Sequence, residues 1–160
     1  MSTMLKDIGR YKNRIMSHML SSDDICKALL DRKEVSDDDK DDLIYNQIFP
    51  YLYVDETQND VKSYVCVEVN IPVAPNNTTK RLQIIIWVYS HKKCMNYHKK
   101  DYFGTRPDII SDMIERSLCD ATDLGIGKIA LQTATHFFPT NHYYGRQMVF
   151  TTSDFKVKER

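Results

Sequence analysis

Apolar residues recur along this chain with two periods. Over residues 4–20, Leu5, Ile8, Ile15 and Met19 return at helical spacing with Tyr11 on the same side, while Lys6, Arg10, Asn13 and Arg14 fall mostly elsewhere. That pattern predicts an amphipathic helix. Ser21 followed by Asp24 reads as a capping-box-like start for a second helix, which carries Ile25, Cys26, Leu29 and Leu30 inward and ends near Arg32 and Lys33. Ser36 with Asp39 repeats the signal and predicts a short third helix through Leu43, Ile44 and Ile48, stopped by Pro50. The period then changes to two. Tyr51–Val54 is a short strand candidate, and from Ser63 the alternation is clear, with Val65, Val67, Val69 and Ile71 on one face and Tyr64, Cys66, Glu68 and Asn70 on the other. A breaker run, PVAPNNTTK, leads into Leu82, Ile84, Ile86 and Val88, opposed by Ile85, Trp87 and Tyr89. A strand apolar on both sides needs cover on both sides. The two strands form a hairpin over about residues 62–90.

The strongest helix signal follows. Thr105 and Asp108 form another capping-box pair, Pro107 sits in the first turn where it is tolerated, and Ile109, Ile110, Met113, Ile114 and Leu118 make one broad stripe. Gly125 is a candidate helix stop and Gly127 a loop residue. Lys128–Thr135 and Gln147–Ser153 read as two further strands joined by a connection over 137–146, and KVKER is a polar tail. The expected class is α+β: a single antiparallel or mixed β-sheet packed by one main helix, with N-terminal helices. One domain spans 1–160, with a helical region over 1–50, a sheet-plus-helix core over 51–155 and a tail over 156–160. The second sheet face is expected to be covered by the N-terminal helices or by another subunit.

Charge narrows the function classes. The formal net charge is zero, unlike the excess of Lys and Arg usual in a dedicated nucleic-acid binder. The charge is unevenly placed: EVSDDDKDD is strongly acidic, and HKKCMNYHKK carries four lysines and no acid. The Asp run lacks the Gly turn and terminal Glu of a calcium loop and reads as a solvated helix start. No run of apolar residues is long enough to span a membrane, and the charged N-terminus does not resemble a signal peptide, so a cytoplasmic setting with four reduced thiols is expected.

The candidate chemistry lies in the basic stretch. His91, Cys94 and His98 are weak metal candidates: they are zinc-ligand types at short spacing, but a fourth ligand would have to come from His142 or Cys119. The expectation is therefore no metal and no cofactor. Lys92, Lys93, Lys99 and Lys100, interleaved with Tyr97 and Tyr102, offer contacts to phosphates or to a protein rim. Trp87, Tyr143, Tyr144 and Arg146 join them as interface candidates, because Tyr, Trp and Arg favour contact surfaces. No GxSxG, Walker A, HExxH or GxGxxG motif is present, so catalytic residues are not expected. Two apolar sheet faces on a small chain suit a subunit that packs against copies of itself, with a monomeric domain of fuller core as the alternative.

Beyond these patterns, the order DDICKALL, LIYNQIFPY, YVCVEVNIPV, RLQIIIWVYSHK, GTRPDIISDMIERSLC, GIGKIALQTATHFFP and YYGRQMVFTTSDF, over about residues 22–155, resembles phage and prophage tail terminator (tail completion) proteins. The resemblance implies a structural virion protein and not an enzyme. Such proteins form a hexameric ring at the head-proximal end of a long tail, stop growth of the tail tube and join tail to head. The implied partners are further copies of the chain, the tail tube protein, the head–tail connector or stopper, and sheath or collar proteins. DNA would pass through the lumen without sequence-specific binding, and no membrane is involved. The implied location is the virion neck, assembled in the host cytoplasm. The longer N-terminal region and the acidic run depart from the smallest terminators and leave another neck protein as the alternative. In either setting, residues 91–104 are expected to form a strand-to-helix loop on a rim or lumen, its lysines meeting a neighbouring subunit, ring or DNA. A metal-dependent protein and a single-strand nucleic-acid binder are the remaining alternatives.

Overall fold

The computed structural model describes residues 4–72, 79–80, 82–122, 124–125, 127–152 and 155–156. Among the described residues four α-helices, α1 (Met4–Leu20), α2 (Asp23–Leu30), α3 (Asp37–Asp41) and α4 (Arg106–Cys119), accompany seven strands. These are β1 (Ile48–Phe49), β2 (Ser63–Asn70), β3 (Thr79–Lys80), β4 (Gln83–His91), β5 (Ile129–Phe137), β6 (Tyr143–Thr152) and β7 (Phe155–Lys156). Five strands form one mixed sheet in the order β1-β2-β4-β6-β5, and β3 pairs with β7 in a small separate ribbon. The arrangement is α+β, as the alternation of periods predicts.

The β2–β4 hairpin pairs Ser63 with Ser90 through to Asn70 with Gln83, so the odd valines of β2 and Ile84, Ile86 and Val88 share one face. All three helices longer than one turn cover that face. Tyr11, Ile15 and Met19 of α1, Ile25 and Leu29 of α2, and the α4 stripe pack there with Met148 and Phe150 of β6. Burial of each large aliphatic contributes roughly 1.5–3 kcal/mol. β4 runs through α4 to β5, parallel to it but with β6 inserted between them, giving a split βαβ unit.

The opposite face differs from expectation. The N-terminal helices do not cover it, because their apolar stripes are used beside α4. Phe49, Tyr64, Cys66, Tyr89 and Tyr143 form a second cluster there, joined by Tyr53, Val54, Trp87 and Phe137. The Tyr51–Val54 run is accordingly not a strand but cover for this cluster, with the Tyr53 ring stacked 4.2 Å from Phe49. The following loop folds around Asp55, whose carboxylate accepts from the backbone N–H groups of Thr57, Asn59 and Asp60. Tyr143 Oη then donates to the Asp60 carbonyl at 3.0 Å and fastens the loop to β6.

Other boundaries shift for local reasons. The N-cap of α2 is Ser22, whose hydroxyl accepts from Ile25 N, and not Ser21. The capping box of Ser36 and Asp39 forms, but α3 stops at Asp41 because Ile48 and Phe49 pair in parallel with Val65 and Cys66 of β2. Helix α4 closes at Asp120, five residues before Gly125, which instead sits in a loop with φ +74°. β5 and β6 both extend into the predicted connection, leaving a short turn over 138–142. Residues 73–78 of the breaker run, Ser153, and residues 157–160 of the tail lie outside the described residues.

Candidate functional site

Arg106 organises the basic loop. As the first residue of α4 it lies where a cation opposes the helix dipole, and its side chain turns back under the loop. It is buried, and its guanidinium donates to the carbonyls of Cys94 (2.7 Å), Ala28 (2.9 Å) and Asn96 (3.2 Å). Asp31, at the left-handed C-cap of α2, is 3.3 Å away, and the guanidinium carbon stacks 4.4 Å from the Tyr97 ring. One side chain therefore ties the end of α2 to both halves of the loop. Its five fixed donors suit this task, which a lysine could not perform.

His91, Cys94 and His98 are not gathered into a ligand set. His91 is buried, with its Nδ1 accepting from Lys93 N at 3.1 Å, and the Cys94 thiol donates to the His91 carbonyl at 3.3 Å. His98 is exposed. Among the described residues no group of three or more His, Cys, Asp or Glu side chains is placed to hold a metal ion. Burial pushes the His91 imidazole below its ordinary pKa, with Lys93 and His142 adding to the effect. All four cysteines are free, and burial raises the Cys26 and Cys66 thiols to about 11.

The lysines divide. Lys99 is paired with Asp24 of its own α2 at 3.2 Å, which raises its pKa, whereas Lys92, Lys93 and Lys100 are exposed and carry no ion pair among the described residues. Tyr97 and Tyr102 each lie beneath an arginine of the same chain, Arg106 and Arg116 respectively. Between α2 and the loop, Lys27, Asp31, Arg32, Lys33, Tyr97, His98 and Lys99 line a cleft of about 400 Å³. Phe103, 87% exposed, projects near the α4 start.

The remaining interface candidates separate between the two sheet faces. Tyr143 is fully buried in the second cluster, so it cannot serve as a rim residue. Trp87 is half-buried on the outer face and donates to Gln147 Oε1 at 3.0 Å. Tyr144 lies 5.1 Å from the exposed Phe138 ring. Arg146 points to the helix-covered side, where its Nε donates to Asp108 Oδ1 at 2.8 Å. Burial pushes the Asp108 carboxyl up, but bonds from Arg146 and from the Thr105 backbone and hydroxyl outweigh it and hold the group below its ordinary range.

Sequence reasoning missed a second surface. On the β5 side of α4, Asp108, Ser111, Asp112, Glu115, Leu131, Ala134, Arg146 and Met148 line a groove of about 200 Å³. Asp108 and Asp112 are balanced by Arg146 and Arg116, while Glu115 has no ion pair among the described residues. Beside the groove runs β5, nine residues long, paired only with β6 and exposed over most of its length. In sequence the Lys128–Thr135 run reads only as an ordinary strand. Its lack of a second neighbour is a property of sheet order, with no local signal beyond the absence of acid or Lys in ALQTATHF.

The family model described as YomW matches residues 22–152, from the N-cap of α2 to the end of β6. The chain belongs to the YomW family. That family derives from Bacillus phages and prophages, so the protein is phage-associated. Comparison with curated proteins found no match. The YomW region contains the whole five-stranded sheet, α4, the basic loop and the acidic groove. Only α1, among the described helices longer than one turn, lies outside it. No described helix is long and apolar enough to cross a membrane.

Proposed function

We propose that this YomW-family protein is a structural virion protein that forms a ring at the head-proximal end of a long phage tail. There it ends growth of the tail tube and provides the surface to which the head joins. The carrying observation is the open β5 edge: a long edge strand with no second strand neighbour among the described residues, on a phage-associated chain. Such an edge favours pairing with another chain, and natural monomers usually blunt it with charge or proline. β5 has neither Pro, Lys, Arg, Asp nor Glu. The half-buried outer-face residues Ile85, Trp87 and Val149 add a modest apolar surface for a further ring. The mechanism is mechanical: one surface meets siblings, another the tube, another the connector.

Deleting the gene from an inducible prophage tests this reading. The expected result is filled heads separate from tails of uncontrolled length. Particles with joined tails of normal length would contradict it, and tails of normal length detached from heads would move the protein to the connector side of the neck.

A further inference from the structure

The two charged surfaces lie on opposite flanks of α4. The basic cleft lies beside α2, which packs against β2 and α4, while the acidic groove lies beside β5 at the far edge of the sheet. Within one chain they cannot meet. The groove also holds an unusual group: Ser111, only 8% exposed, has a buried hydroxyl oxygen without a hydrogen-bond partner, the sole such side-chain atom among the described residues. A buried hydroxyl left unbonded carries its desolvation penalty uncompensated. Next to it stands the Glu115 carboxylate, without an ion pair among the described residues, above an apolar floor of Leu131, Ala134 and Met148. A hydroxyl acceptor, a carboxylate and an apolar floor in a space of about 200 Å³ fit the aliphatic stem and ammonium head of one lysine.

Resting on the ring reading, we propose that the α4–β5 groove of one copy receives a lysine from the α2 flank of a second copy, making a head-to-tail subunit contact. The occupant follows from charge complementarity. Lys33, which lines that cleft, and Lys100, next in sequence to its Lys99, are exposed and have no ion pair among the described residues, while Lys99 and Arg32 are already held by Asp24 and Asp39. Because donor and acceptor surfaces differ, the contact is heterologous, and repetition closes a ring or extends a filament. The β5 edge beside the groove lengthens the contact with backbone groups. Lys92 and Lys93, near His142 at the end of the sheet, belong to neither flank and stay free for another partner.

Charge reversal tests this contact in the full chain. Sedimentation velocity across a concentration series should show self-association of the wild type, weakened at least about tenfold by Glu115→Lys and equally by Lys33→Glu with Lys100→Glu. Mixing the two reversed proteins should restore contact, because each reversed surface then faces opposite charge and each unmutated surface its natural complement, and one chain carrying all three changes should associate again. Lys92→Glu with Lys93→Glu should leave association unchanged, and circular dichroism should show every variant folded. Wild type that stays monomeric at its highest soluble concentration, or association indifferent to both reversals, overturns the interface. Neither result bears on the position of the protein in the particle, which decides the ring reading separately.

Discussion

Arg106 shows what a single side chain contributes and why sequence hides it. At the first position of α4 its charge is unfavourable to the helix, and nothing nearby in sequence explains its presence. The explanation is the Ala28 carbonyl, 78 residues away in the chain, together with Cys94 and Asn96. Replacing it with leucine leaves three carbonyls without their donor, and Arg106→Leu is expected to lower stability by about 3 kcal/mol in urea unfolding. His91 belongs to the same scale. Its folded-state pKa is depressed, first by burial, so the fold holds it neutral while the unfolded chain takes a proton near pH 6.5, the ordinary value. The stability it contributes is full above that pH and is lost as pH falls through the lower folded value. His91→Gln should therefore flatten the fall in melting temperature between about pH 6.5 and pH 5; an unchanged slope would exclude His91 as its source. The histidine's burial could not be read from HKKC, where charged neighbours suggest solvent.

Elements built on short-range signals were legible, as was the β2–β4 hairpin, whereas the pairing that makes β1 was not. Both capping boxes, Ser36 with Asp39 and Thr105 with Asp108, form where their three-residue spacing places them. Thr105→Ala is expected to cost about 1 kcal/mol, seen as a lower urea midpoint with unchanged slope. The α2 cap was displaced by one residue because adjacent serines satisfy nearly the same pattern. β1 was missed because two residues carry no period; its parallel pairing with β2 is what makes it a strand. Gly145 falls within the predicted 137–146 connection and is instead a strand residue, where an added Cβ would lie 1.8 Å from the Val88 carbonyl oxygen and 2.5 Å from Tyr89 Cα. The backbone itself fills that space, so Gly145→Ala should break the β4–β6 ladder locally and cost about 3 kcal/mol by thermal unfolding. A variant as stable as the parent would show that the ladder can part there.

At the scale of the whole molecule, the α+β class follows from the change of period along the chain, and the sheet order does not. The split βαβ connection leaves β5 at an edge, and that placement creates both the open ladder and the acidic groove. Neither feature has a motif, so neither is legible in the sequence, whereas the basic stretch is. The basic stretch itself turned out to be two things: a loop held internally by Arg106, and lysines free at two separate places. The same topology puts the helices on one face and leaves the other to an aromatic cluster and half-covered Ile85 and Trp87. A molecule with unfinished edges and balanced charge suits repetition around an axis. The direct measurement is electron cryomicroscopy of particles from an induced prophage, with the chain located by its five-stranded sheet and α4. A closed ring of copies between tail tube and head connector is the expected result. Particles whose neck lacks this fold, or that hold it as a single unrepeated copy, would contradict the proposal.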